Sequence, residues 1–320
     1  MNCVYCDDGR GVKYPDKIID RELSADEFLE LFRIVKKETD GIVFTGGEPF
    51  IRNDLEEILC GVRNMGYNPI VLLTNGLNLD KRLEALKYID ILMVSFDTLD
   101  LKKADRRFGT KTGVSKKIFE NIILAKSLSA KVGFKLFFNV CITPDNVEDV
   151  DRVVDFCVAN DIGFVPLPAR EKLYPGAGLR NNNCYKKLIR RIKRLKLSGF
   201  PVLGTMGYLD GIENFSRYRC HPTLLIRIQP DGNILYPCNK LNNVGGNILK
   251  LKSYRRALDY SIKKFGDFSH CQHSCQVSCY MNFSLLVENP MSAIEDNLLK
   301  IKGLVKKKLE RRKKRGGNFE

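Results

Sequence analysis

Tryptophan is absent from the 320 residues and histidine occurs only three times. Imidazole-based metal chemistry therefore has few places to sit, and His221, His270 and His273 all flank cysteines. Long apolar runs are also missing. Those that occur, such as residues 91–96, fall far below the roughly 20 residues that span a bilayer, and no signal-peptide hydrophobic region opens the chain. A cytoplasmic protein is the expectation. Eleven cysteines are too sparse for a disulfide scaffold at this length, so the clustered ones point to metal or redox chemistry. With 44% hydrophobic residues, the chain can bury one large core and a smaller appended unit.

The net charge of +15 is concentrated. Residues 185–196 hold seven basic side chains and no acid, and residues 306–315 hold eight against Glu310. Both read as helical. In the first, Leu188, Ile189, Ile192 and Leu195 form one apolar stripe opposite the charges, which suits packing on a core as well as lying on an anionic membrane. Phosphate contacts to nucleic acid are open to it too, although no aromatic residues interleave the charge.

A repeating strand and helix pattern occupies the first half. Ser24 to Glu27 is a capping box ahead of Phe28, Leu31, Phe32 and Val35 at helical spacing. The apolar run 41–45 reads as a strand ending in Gly46-Gly47-Glu48-Pro49, with a second helix capped near Asn53 and Asp54. Strands are expected at 69–73, 91–94, 134–141 and 163–167, with helices over 80–88, 112–129 and 145–160 between them. At least five such steps demand parallel strands with helices outside. In a barrel of that kind the site lies at the C-terminal strand ends, so Glu48, Asn75, Ser95, Asp97 and Asn139 would share one pocket. Near residue 173 prolines and glycines mark a boundary. Residues 223–228 and 234–236 then read as a hairpin about Gln229-Pro-Asp-Gly-Asn233, and a helix is expected over 253–264. The organisation expected is a core over 1–173, a cysteine-bearing region over 174–288 and a terminal helix with a basic tail over 289–320.

Cys3 and Cys6 alone would fit half a zinc knuckle or a redox pair. Taken with Gly46-Gly47-Glu48-Pro49 and Thr74-Asn75-Gly76, they resemble the radical SAM superfamily, whose C-x3-C-x2-C signature leaves one iron of a [4Fe-4S] cluster open for S-adenosylmethionine. The resemblance implies a partial (β/α)6 barrel and an enzyme that cleaves S-adenosylmethionine reductively and attacks its substrate with the 5′-deoxyadenosyl radical. Cys3 and Cys6 match the second and third cysteines and Tyr5 the aromatic residue before the third. The first would fall ahead of Met1, with the first strand, so the expectation is a chain that starts too late. By the same resemblance Glu48 and the backbone around Gly46, Gly47 and Pro49 take the methionyl ammonium, and Ser95, Asp97 and Asn139 meet the ribose and carboxylate. Arg107 is either a partner of that carboxylate or a surface residue. An electron donor such as flavodoxin or ferredoxin is implied. So is a substrate among peptides, cofactor precursors and tetrapyrroles, peptide or anionic in character.

The second half resembles the SPASM or twitch extension of such enzymes. Cys220, Gly232, Cys238 and the Cys271, Cys275, Cys279 group fit its outline, though the C-x3-C-x3-C spacing differs, and four of the five thiols would hold one auxiliary [4Fe-4S] cluster. Zinc held by cysteine and histidine is the alternative there. The last three recur every four residues, so on a helix they would share one face at about 6 Å per step. Cys60, Cys141 and Cys157 read as core thiols, and Cys184 has no assignment. The competing class is a non-catalytic metal-binding protein with zinc or a structural cluster and an incomplete SAM site.

Overall fold

The computed structural model describes residues 1, 3, 21–171, 174–238, 240, 241, 243–268, 270, 271, 275–291 and 294. Tyr5, Cys6, His273 and the C-terminal basic run lie outside them. Among the described residues the chain runs α1 (Ala25–Val35), β1 (Ile42–Phe44), α2 (Leu55–Asn64), β2 (Ile70–Thr74), β3 (Ile91–Ser95), α3 (Leu101–Arg107), α4 (Val114–Val132), β4 (Lys135–Ile142), α5 (Val147–Ala159) and β5 (Gly163–Pro168). A two-stranded ribbon follows, β6 (Arg170–Glu171) with β7 (Tyr174–Pro175). The remainder is α6 (Ala177–Arg180), α7 (Asn183–Leu197), α8 (Met206–Asn214), β8 (Asn233–Tyr236), β9 (Asn243–Asn247), α9 (Ile248–Leu251), α10 (Tyr254–Phe265) and α11 (Ser278–Glu288).

The five long-range strands pair in parallel in the order of the sequence, β1 to β5. Each connection must then cross over outside the sheet, and α2, α4 and α5 do so. Buried residues of the strands and helices interdigitate there. Phe96 lies against Phe108, Phe119 and Phe138, while Leu92, Val94, Val140 and Ile142 are fully covered. The Ser24 capping box closes at both ends, Glu27 N–H to the Ser24 hydroxyl at 3.3 Å and Ser24 N–H to Glu27 at 2.9 Å.

Several expectations need correction. Residues 80–88 form two 3-10 turns, Leu79–Lys81 and Leu83–Tyr88, rather than an α-helix, and α3 and α8 carried too little periodicity to be read at all. The expected hairpin forms about its turn, Gln229 N–H meeting the Asn233 carbonyl and Leu235 N–H the Arg227 carbonyl at 2.8 Å each with Ile228 bridging Ile234, but its first arm is short, Pro222–Leu224 being a 3-10 turn, and β8 also pairs with β9 downstream. The tight turn itself forms, with Gly232 at φ 83°, a value that favours glycine. It docks on the first helix, Leu23 N–H meeting the Pro230 carbonyl at 2.8 Å.

Helix α7 uses its stripe inward. Leu188, Ile189 and Ile192 are buried, so the apolar face that a membrane would need is already covered. Its charges are also engaged, Arg190 and Lys193 with Glu213, Arg191 with Asp151 and Asp155. No helix among the described residues is long and apolar enough to cross a membrane.

Asp105 anchors the turn into α4, accepting from the Gly113 and Ser115 N–H groups at 2.7 Å each and from the Thr110 hydroxyl. Burial pushes its carboxyl up, but these donors carry it below the ordinary range. A depressed carboxyl contributes stability above its unfolded pKa of about 4, and that contribution disappears as the pH falls further. Asp105→Asn is expected to cost about 2 kcal/mol at neutral pH. The deficit should shrink below pH ~4 in denaturant titrations run at both ends of that range; a deficit independent of pH would remove the charge from the explanation.

Candidate functional site

Side-chain alternation divides each strand into a face under the helices and a face toward the barrel interior. Ser95 pairs in register with Asn139, and Asn139 with Val165. Thr74 pairs with Val94, which brings Asn75 to the same level as Ser95. The half-buried Asn75, Ser95 and Asn139 therefore form one polar row across three adjacent strand ends. Cys141 lies one inward step beyond Asn139, opposite Leu167. Cys141 is half-buried; burial pushes its thiol up to about 12, and the charges that act on it include Asp97, Arg107, Arg170 and Cys3. Cys157, by contrast, is fully buried as expected.

Glu48 is tied into this row. Its Oε1 accepts from the Thr74 hydroxyl at 2.7 Å and the Phe50 N–H at 3.1 Å, and Oε2 accepts from the Asn75 N–H at 2.7 Å. The carboxylate thus caps the 3-10 turn Pro49–Ile51 and fastens the loop to the end of β2. Burial raises its pKa, while the Asn75, Thr74 and Phe50 donors and the ammonium of Met1 pull the other way. Gly46 has φ 139° and, with Gly47, leaves open space on the loop where a side chain would stand. Oε2 keeps a lone pair beyond the one used by Asn75, so one further donor can be taken by Glu48 at the loop's edge.

Asp97 and Arg107 form a buried pair at 3.2 Å, and Arg107 also reaches Asp145 and Thr143, each at 3.2 Å. Arg107 is therefore neither a surface residue nor open on all sides: two carboxylates share its guanidinium. Cys3 is half-buried and packs against the core.

In the second half Cys220, Cys238 and Cys275 are buried. Cys220 and Cys271 exchange both backbone hydrogen bonds, at 3.2 and 2.7 Å. The Cys220 thiol, with the Val277 N–H and the Tyr218 hydroxyl, outweighs burial and pulls the Cys275 thiol below its ordinary range. Cys238 feels Cys275 and Cys271, although burial pushes it up. Cys279 stands apart, its sulfur accepting from Arg227 Nη2 at 2.8 Å. The three cysteines do not share a helix: Cys271 is extended, Cys275 precedes α11, and Cys279 sits in its first turn. His221 faces Glu288 rather than a thiol. Among the described residues no three histidine, cysteine or carboxylate side chains close around a point that one metal ion could fill. The described cysteines other than Cys3 are free thiols.

Arg170 and Arg227 escaped the sequence reading, and Thr74 entered it only as part of the Thr74-Asn75-Gly76 strand end, without its bond to Glu48. Arg227 had a signal, a lone charge within the run Leu224-Leu225-Ile226-Arg227-Ile228.

The family model of the Radical SAM superfamily matches residues 1–157. Among curated proteins, the chain is 27% identical over 279 residues to molybdenum cofactor biosynthesis protein 1 of Mus musculus, covering 80% of this chain and 41% of that one. It is 29% identical over 193 residues to a GTP 3',8-cyclase of Corynebacterium glutamicum, covering 54% and 48%. The chain thus spans less than half the length of these two relatives. In structure it resembles SuiB of Streptococcus suis bound to S-adenosylmethionine, with a TM-score of 0.60 at 20% identity over 84% of this chain and 66% of that one.

Proposed function

The chain belongs to the radical SAM superfamily, and from that premise we propose that it is an S-adenosylmethionine-dependent enzyme acting on a cofactor precursor. The observation that carries this reading is Glu48, a carboxylate fastened at the strand ends beside Asn75, Ser95 and Asn139 with acceptor capacity to spare. An ammonium needs such acceptors, and the glycines before Glu48 allow backbone to approach it. Ser95 and Asn139 offer a hydroxyl and an amide to the polar parts of the same ligand. Cys3 and Cys6 would serve the N-terminal cluster, and the all-thiol set Cys220, Cys238, Cys271 and Cys275 suits an auxiliary one. When bound, S-adenosylmethionine and its cluster supply a carbon radical for hydrogen abstraction. The chain's own task is to orient the two ligands and keep water out. A cofactor precursor is favoured by the names of the curated relatives, and an electron donor such as flavodoxin or ferredoxin is part of the same proposal.

Anaerobically reconstituted protein, given S-adenosylmethionine and dithionite, is expected to form 5′-deoxyadenosine. Glu48→Gln should weaken S-adenosylmethionine binding by about 1–3 kcal/mol, on the order of 5- to 150-fold, with iron content unchanged. The amide cannot accept from both the Asn75 and Phe50 N–H groups, which adds to the loss. Unaltered affinity would take Glu48 out of the site.

A further inference from the structure

Helix α11 is clamped on one side and open on the other. Met281 and Leu285 pack on Gly211 of α8, close enough that a Cβ there would strike the Met281 methyl. Asn282 accepts from the Thr205 N–H at 2.8 Å, and the Ser284 hydroxyl accepts from the His221 N–H at 2.9 Å. The outward face carries Phe283 and Val287, which are 43% and 52% exposed. Asn289 interrupts the helix, and Pro290, Met291 and Ile294 are helical again. Met291 and Ile294 extend the row, at 61% and 52% exposed. Scattered apolar residues on a surface need no explanation, whereas four spaced three or four residues apart make a strip that suits an apolar partner.

The sequence that follows narrows the kind of partner. Leu298, Ile301, Val305 and Leu309 keep the same steps of three and four residues. Residues 289–320 hold ten basic side chains against four acids, and eight of the ten fall in 306–315. An apolar row joined to a run of lysine and arginine fits an anionic lipid surface, where the row enters the interface and the charges meet the headgroups. A second copy of the chain would set one basic run beside another, and like charges repel. Nucleic acid would take the charges through its phosphates but would leave the apolar row in water. The stripe of α7 is not available for such a contact, since Leu188, Ile189 and Ile192 are buried.

We propose that the outward face of α11, with the residues that follow it, docks the protein on an anionic phospholipid membrane. The contact is peripheral, lying along the interface and not across it. It does not rest on the reading under Proposed function, and an inactive protein that still binds vesicles leaves it standing.

The test mixes the full chain, anaerobically reconstituted, with vesicles of phosphatidylglycerol and phosphatidylcholine or of phosphatidylcholine alone, and measures co-sedimentation in ~0.1 M salt. The mixed vesicles should bind at least tenfold more tightly, and ~1 M salt, where the screening length falls to ~3 Å, should weaken them. Val287→Gln with Met291→Gln should weaken binding at least fivefold, as should glutamine in place of Lys313, Lys314 and Arg315, with iron content at the parental level in both. The chain lacks tryptophan, so Met291→Trp supplies a single reporter. Its emission should move to the blue on mixed vesicles and be quenched by brominated lipid, whereas the reporter in Leu197→Trp, at the exposed end of α7, should do neither. If the glutamine pair fails to fold, the tryptophan reporters decide. The proposal is overturned if neither lipid binds or both bind alike, if the Met291→Trp emission does not move, or if the Leu197→Trp emission moves in its place. It is overturned equally by duplex DNA that binds as tightly as the vesicles and just as well to the Val287 and Met291 variant, which assigns the basic run to nucleic acid. A dimer in sedimentation that this variant dissociates assigns the row to a second copy, with the same consequence.

Discussion

Replacing Cys220 and Cys238 with alanine is expected to remove about four irons and their sulfide from the anaerobically reconstituted protein, leaving any N-terminal cluster untouched. The two residues enter the cysteine region from opposite ends of the turn at Gly232, and Cys220 is held to Cys271 by paired backbone bonds. Cys275 completes the set through its contact with Cys220. A tetrahedral zinc ion with bonds of about 2.3 Å would draw its thiolates within roughly 4 Å of one another. An iron-sulfur cluster would spread them over a wider perimeter. Cys279→Ala is the matched control. Its sulfur is committed to Arg227, so iron and sulfide should stay at the parental level. Stoichiometric zinc in oxygen-free protein, or equal iron loss from the Cys279 variant, would overturn this assignment of ligands.

The second large effect is expected at Arg107. Its guanidinium is almost wholly buried against Asp97, which is 1% exposed. Removing one partner of a buried pair leaves the other charge uncompensated, and Arg107→Met should lower stability by about 3–5 kcal/mol in denaturant titration. The double variant Asp97→Asn with Arg107→Met should recover most of that loss, because no charge is then left behind. A single variant within ~0.5 kcal/mol of the parent, the ordinary range of surface changes, would show that the pair is not buried in solution.

The sequence reading and the structure diverge in an instructive pattern. Strands β2 to β5 were legible because a strand buried between layers is a short apolar run, and the polar residues at its end are local in the chain. Helix α1 was legible through its capping box. The 3-10 turns at 79–88 were not, since an i, i+3 pattern over two short turns looks like one helix. The hairpin was legible only in part: residues 227–229 bond to 233–235 as expected, but composition does not say that β9 lies along the other edge of β8.

What the sequence by itself determined is the alternating architecture, the strand-end row of Asn75, Ser95 and Asn139, the Gly-Gly-Glu-Pro loop and the bracketing of one turn by Cys220 and Cys238. All of these follow from periodicity and spacing along the chain. Only the tertiary structure decided how charges and thiols are shared. It turned Arg107 inward onto Asp97 and Asp145, paired Arg190, Arg191 and Lys193 of α7 with carboxylates, and set Cys279 against Arg227. Partnership between residues 10 to 52 positions apart, as Arg107 and Asp97 or Arg227 and Cys279 are, depends on which elements pack together, and electrostatic energy depends on distance and burial, neither of which a linear pattern contains.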